Sequence, residues 1–210
     1  DLMQLTASNE VYFFPSAYRR AIKYGHVDPA NEILRTEVLS RLQDPDASFV
    51  IVTYPDALAE RVVAREVLKE NTLKISVGEK LDNMFVSDVL DEYGFEQVDY
   101  VYEPGQYALR GSILDVFSFS YEFPYRIDFF GDEVDSIRRF NISSQLSSDR
   151  LERVEIIPDL NAGTPAAAKV SFARFAGAEA SWWFYDADFV LRRVNDIRRR
   201  TLSDMEHPDE

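Results

Sequence analysis

The chain has 210 residues, of which 46% are hydrophobic, so it can bury the core of one or two domains. It has no cysteine and only two histidines, which excludes disulfides and argues against a metal site. Its 23 basic and 37 acidic side chains give a net charge of −14, which repels a phosphate backbone. Because its apolar runs are short and its N-terminus lacks a signal pattern, we expect a cytoplasmic location and no membrane association.

The first 80 residues alternate short apolar runs with helical patterns, which is typical of an α/β domain with a parallel sheet. Pro29 favours the start of a helix, and Asp44-Pro45 ends it. The predicted elements are strands at 11–14 and 49–53, helices from 29 to that break and from 56 to about 68, and an extended stretch at 73–77. We therefore assign residues 1–80 to one α/β segment.

A different pattern follows over residues 81–160. One helix is predicted from Asp82 to Tyr93, with Gly94 ending it, and its apolar face comprises Phe85, Val86, Val89 and Leu90. The period then changes to two, which predicts strands at 98–101, 107–110, 113–119, 125–130, 134–140 and 154–157. We expect a small α+β domain with an antiparallel sheet.

Residues 161–210 form the third predicted segment. An Asn-, Gly-, Pro- and Ala-rich stretch at 161–168 reads as a linker, followed by a strand at 182–185 and a helix at 187–200. A polar, acidic tail ends the sequence. We expect this segment to begin another α/β domain.

Residues typical of catalysis are hard to find. None of the eight glycines is followed by lysine, so the phosphate-binding P-loop is missing and neither ATP binding nor any other cofactor is expected. Asp128 with Asp132 or Glu133 could form an acid/base pair, but an acidic turn in solvent is the simpler interpretation. His26 reads as a loop residue. We therefore predict a non-catalytic chain.

Two long motifs carry a family resemblance. Residues 103–117 read Glu-Pro-Gly-Gln-Tyr-Ala-Leu-Arg-Gly-Ser-Ile-Leu-Asp-Val-Phe, and residues 122–138 read Glu-Phe-Pro-Tyr-Arg-Ile-Asp-Phe-Phe-Gly-Asp-Glu-Val-Asp-Ser-Ile-Arg. This region, 81–158, resembles the UvrA-binding domain of bacterial transcription-repair coupling factors and, more loosely, domain 2 of UvrB. Residues 11–77 resemble the later part of the family's first, degenerate helicase-like α/β domain, and the chain from about 169 resembles the start of its next domain.

The resemblance implies a protein-docking module that recruits UvrA to stalled transcription complexes during nucleotide excision repair. In the family, the ATP-dependent DNA translocase and the regions that hold RNA polymerase and duplex DNA lie further along the polypeptide. A C-terminal regulatory domain covers the UvrA-binding surface there. A purely structural spacer or regulatory lid remains an open alternative.

The candidate docking residues lie in an acidic stretch. Residues 82–135 hold thirteen Asp or Glu but only two cations, Arg110 and Arg126. Strand alternation places Arg126 and Phe130 on the side opposite Ile127 and Phe129, where an arginine beside an aromatic is a typical interface anchor.

Two alternatives remain open for these residues. The arginines could neutralise neighbours such as Asp128 and Glu103 on a solvated face, and a register error would exchange Phe130 with Phe129. The resemblance matches Arg110, Arg126 and Phe130 to UvrA-contacting positions, and we add Arg138 as a candidate, with Arg139 as its alternative.

A basic helix offers a second hypothesis of a different class. Five arginines are candidates for nucleic-acid contact: Arg192, Arg193, Arg198, Arg199 and Arg200. They could instead be balanced by the acidic residues at 204–210 or pack against further polypeptide.

Overall fold

The computed structural model describes residues 11–17, 28–160 and 164–206, with side chains described up to residue 200. His26 and His207 lie outside the described residues. The described chain divides into two compact units, residues 1–65 with 164–210 and residues 66–163. These limits differ from the boundaries at 80/81 and 160/161 that we expected from the sequence.

The first unit contains short strands and helices. In chain order these are β1 (Val11–Phe14), α1 (Pro29–Arg41), β2 (Val50–Thr53), α2 (Pro55–Ala59), β3 (Arg61–Val63), the start of α3 (Arg65–Glu70), a 3-10 turn (Ala166–Ala168), β12 (Lys169–Ser171), α5 (Phe172–Ala176) and α6 (Ala187–Glu206). β1 and β2 pair in parallel, as an α/β segment requires. The side chain of Asp28 caps α1 by accepting a hydrogen bond from the Ala30 N–H.

Two sequence predictions for this unit are wrong. The single helix expected at 56–68 is interrupted by β3, where β-branched Val62 and Val63 pair with β12, more than 100 residues further along the chain. Strand β12 lies in the segment 161–210, which we expected to hold a linker and the start of another α/β domain, and it pairs with β3. Residues 182–185 form no strand, whereas α6 is present and extends to Glu206.

The second unit contains most of the sheet structure. Its elements after α3 are β4 (Leu73–Ser76), α4 (Asn83–Glu92), β5 (Glu96–Gln97), β6 (Gln106–Arg110), β7 (Ile113–Val116), β8 (Tyr125–Phe130), β9 (Glu133–Phe140), β10 (Ser147–Leu151) and β11 (Arg153–Ile156). Six strands form one sheet in the order β10-β9-β8-β7-β6-β5, antiparallel except for the β5–β6 pair. The expected α+β character with an antiparallel sheet is confirmed.

Helix α4 covers one face of this sheet. Asp82 caps it by accepting from the Met84 N–H, and Gly94 follows it with a φ of 76°. The core beneath the helix joins Val86 and Leu90 to strand residues that include Tyr107, Leu114, Val116, Ile127, Phe129 and Ile137. Phe85, predicted on the buried face, is 53% exposed. The helix is therefore buried along a narrower stripe than its sequence suggested.

The strand boundaries also differ in places. The strand expected at 98–101 is replaced by the shorter β5, and the strand expected at 113–119 ends at Val116. β10 was not predicted, since its sequence Ser-Ser-Asp-Arg-Leu lacks apolar alternation. β11 does not extend the large sheet; it pairs instead with β4, which places residues 73–76 in the second unit.

Candidate docking surface

The sheet face opposite α4 is charged. Strand pairing aligns Ala108 with Asp115, Asp115 with Arg126, Arg126 with Arg138, and Arg138 with Arg150 across neighbouring strands. A second row aligns Arg110, Ile113, Asp128 and Ser136. We call the charged members of these rows the arginine face: Arg110, Asp115, Arg126, Asp128, Arg138 and Arg150. It carries four cations and two carboxylates within a strongly acidic chain.

Asp115 is the buried centre of the arginine face. It lies in β7 between the buried side chains of Leu114 and Val116, and it is itself 0% exposed. Its Oδ1 accepts a hydrogen bond from Arg126 Nε at 2.7 Å, and its Oδ2 accepts from Arg126 Nη2 at 2.8 Å. Arg110 Nη2 also donates to Oδ2. Two arginines from flanking strands therefore hold one buried carboxylate, which compensates its loss of hydration.

Arg126 is more enclosed than the sequence suggested. Its side chain is only 17% exposed, its Nη1 donates to the main-chain oxygen of Gln145 at 3.2 Å, and its guanidinium lies 4.7 Å from the Phe140 ring centre. Three of its five N–H donors are thus in use. The hydrogen bond to Asp115 raises the pKa of Arg126, and burial opposes that effect in part. Arg126 therefore carries charge and also supports the sheet internally.

The other arginines are more accessible. Arg110 is 38% exposed, donates to the Asp99 carbonyl at 2.7 Å and lies against the Tyr100 ring. Arg138 pairs with Asp128, which also accepts from Ser136. Arg139 leaves this cluster and contacts the Tyr121 ring. Of the two alternatives, Arg138 is the residue that lies on the arginine face.

Phe130 projects into solvent beside the arginine face. It ends β8 and is 83% exposed, whereas its neighbour Phe129 is 5% exposed and belongs to the core. The predicted register is therefore confirmed, and the alternative in which Phe130 is a core residue is wrong. An aromatic side chain so exposed contributes nothing to the domain's own core.

Sequence reasoning missed three participants. We named Asp128 and Glu103 as partners of the arginines, but Arg110 and Arg126 share Asp115. An aspartate inside the apolar run Ile-Leu-Asp-Val was the available signal, because carboxylates are rare in buried strands. Gln145 and Phe140 contact Arg126 only through tertiary structure, so no local pattern reveals them.

The five arginines proposed for nucleic-acid contact lie on α6. Arg193 pairs with Asp56 at 3.2 Å, and Val190, Val194 and Ile197 line the half-buried side of the helix. The remaining four, Arg192, Arg198, Arg199 and Arg200, are exposed. Sequence and structure therefore agree that a basic helix surface exists here.

Groups suited to metal or acid/base chemistry are not assembled in the described part of the chain. Among the side chains that the structure describes, those of residues 11–17, 28–160 and 164–200, there is no cluster of three acidic or histidine groups that could hold a metal ion. Asp128, considered above for an acid/base pair, is instead engaged by Arg138 and Ser136.

None of the helices in the described ranges is both long enough and apolar enough to cross a membrane.

Comparison with known proteins assigns the sheet unit to a family. The family model described as the UvrB interaction domain matches residues 73–161, which spans β4 through β11 and so includes the arginine face and Phe130. Residues 73–161 form a UvrB interaction domain. The first residue of this match, 73, falls inside the second compact unit, which begins at residue 66, and lies before the boundary at residue 80 that we expected from the sequence.

The similar proteins share one name, transcription-repair-coupling factor. The chain is 33% identical over 138 residues to the transcription-repair-coupling factor of Escherichia coli and 32% identical over 159 residues to that of Bacillus subtilis. These matches cover 65% and 75% of the chain but only 12% and 13% of the relatives. The UvrB interaction domain thus sits within a segment similar to a small part of a much longer protein.

Proposed function

We propose that the arginine face and Phe130 form a docking surface for UvrA, and that this chain is a non-catalytic protein-binding module. The observation that carries the proposal is the 83% exposure of Phe130 at the end of β8, the strand that also holds Arg126 of the arginine face, within the match to the UvrB interaction domain. Exposed aromatics next to arginines are the side chains that most often dominate protein interfaces.

The charge distribution defines the partner surface. Arg110 and Arg126 together exceed the single charge of Asp115, so this triad keeps a net positive charge. Arginine can bind a carboxylate through two parallel hydrogen bonds and stays charged at physiological pH. The matching surface on UvrA should therefore present carboxylates to the arginine face and an apolar pocket to Phe130.

The name of the relatives suggests a role for a longer polypeptide that contains this module. We propose that a longer polypeptide with this module couples stalled transcription to nucleotide excision repair by recruiting UvrA. In that polypeptide, other regions would bind RNA polymerase and duplex DNA and act as an ATP-dependent translocase, and a C-terminal regulatory domain would cover the docking surface.

The experiment that tests this function is a calorimetric titration of purified UvrA with the chain. Arg110→Ala should weaken binding about thirty-fold, as truncation of an interface arginine costs about 2 kcal/mol. Arg174→Ala is the matched control because it removes the same charge from an exposed site in the other unit. Absence of binding by the native chain, or equal affinity of both variants, would contradict the proposal.

Nucleic-acid binding by α6 is the second candidate function. It is supported by the exposure of Arg192, Arg198, Arg199 and Arg200 on α6 and of Trp183 and Tyr185 in the segment before it. Arginines interleaved with aromatic rings are typical of surfaces for single-stranded nucleic acid. Asp188 and Asp196 on the same helix, together with the net charge of −14, weigh against it.

A further inference from the structure

We propose that Asp115 is a positioning residue, which fixes Arg110 and Arg126 in the orientation required for docking. This inference rests on the proposed function. It concerns a residue that is 0% exposed and cannot itself touch a partner, so any effect on binding must pass through its neighbours.

The hydrogen bonds of Asp115 fix the geometry of both arginines. The carboxylate lies in β7, and the two arginines reach it from β6 and β8 on either side. Arg126 engages both oxygens through its Nε and Nη2 atoms, a two-point contact that defines the plane of the guanidinium. Arg110 is held at its Nη2 by the same carboxylate and at its Nη1 by the Asp99 carbonyl. Asp115 thus determines the orientation of both groups at once.

Asp115 also limits the conformational freedom of both arginines. A free arginine side chain samples many rotamers, and ordering it at an interface weakens binding. Here the ordering is already complete before the partner arrives, because a buried carboxylate holds both guanidiniums. The donors not used internally, two on Arg126 and three on Arg110, remain for a partner. Asp115 therefore adds affinity without adding a contact.

The burial of Asp115 makes this arrangement obligatory. A carboxylate removed from water requires charged partners, so neither arginine can readily rotate away from Asp115. An asparagine at this position has nearly the same shape but no charge and only one acceptor oxygen. Asp115→Asn should leave the strand packed and free the two guanidiniums to reorient.

The test is a double-mutant cycle on UvrA affinity, using the complete chain with folding verified by circular dichroism. Asp115→Asn should weaken binding by about ten-fold or more. In an Arg126→Ala background, the factor by which Asp115→Asn weakens binding should be at least three times smaller than in the native chain. The reason is that one of the two arginines through which Asp115 acts is already lost. A residue with a merely structural role would give the same factor in both backgrounds.

The outcomes separate this inference from the proposed function. If the native chain does not bind UvrA, the proposed function fails. If the native chain binds and folded Asp115→Asn binds equally well, or if the two changes are additive, only the positioning role is overturned. Should Asp115→Asn not fold, Asp115→Ser replaces it in the same cycle. Failure of both variants to fold would also overturn the proposal, since Asp115 would then act through the fold.

Discussion

Arg126 and Asp115 form a two-point ion pair across adjacent strands, with nitrogen–oxygen distances of 2.7 and 2.8 Å and a carboxylate that is wholly buried. Arg126→Ala would leave that carboxylate with Arg110 alone. We expect the free energy of unfolding to fall by about 3 kcal/mol, near the lower end for breaking a buried pair. Urea denaturation measures this, and a loss below 1 kcal/mol would mean that the pair behaves as a surface ion pair.

Gln145 has a left-handed backbone conformation, with a φ of 58°, and its carbonyl accepts a hydrogen bond from Arg126. Glycine adopts this conformation without steric cost, whereas a β-branched residue resists it. Gln145→Gly should therefore be more stable than Gln145→Val by about 1 to 2 kcal/mol, although both lose the same side chain. Thermal melting of the two variants provides the comparison, and equal melting temperatures would contradict a role for backbone strain.

Tyr107 makes stability sensitive to alkaline pH. Burial raises the pKa of Tyr107, whose hydroxyl donates to Asp91 at 2.7 Å and accepts from Ser87 at 3.1 Å. Because the folded pKa exceeds the unfolded value of about 10, the stabilisation is complete below pH 10 and is lost as pH rises through the folded pKa. Tyr107→Phe should flatten this alkaline decline. Denaturant midpoints measured on both sides of pH 10 would test it, and parallel curves would contradict it.

Duplex DNA should not bind this chain strongly. The exposed arginines of α6 act within a chain whose net charge is −14, so repulsion opposes any local attraction. We expect no retardation of duplex DNA in gels at physiological salt. Binding with a steep salt dependence that disappears in Arg198→Ala/Arg199→Ala would favour the nucleic-acid hypothesis instead.

Local patterns predicted part of this architecture. Period-two alternation identified β8 and separated exposed Phe130 from buried Phe129, because a strand with one buried face imposes that order. Alternation missed the strand β3 and wrongly predicted a strand at 182–185, because strand formation depends on a partner that can lie far along the chain. β10 was not predicted because its sequence is polar: it pairs with β9 but contributes little to a core, so it shows no apolar alternation.

The candidate docking residues could be chosen from the sequence, but their contacts could not be derived from it. Charge contrast identified Arg110 and Arg126 because cations are scarce in that stretch. Their shared partner could not be derived, because cross-strand register places Asp115 opposite Arg126 and register depends on the whole sheet. The same limit applies to the carbonyl of Gln145, which reaches Arg126 only through the loop before β10.

Docking at this face of the sheet can be tested through Phe130, because the fold does not need this side chain. Phe130→Ala should leave the urea midpoint unchanged and weaken UvrA binding by about 2 kcal/mol or more, roughly thirty-fold. Phe85→Ala is the matched control, since Phe85 is 53% exposed on the helix that covers the opposite face. If Phe130→Ala binds UvrA as tightly as the native chain and Phe85→Ala do, this face of the sheet is not the docking surface.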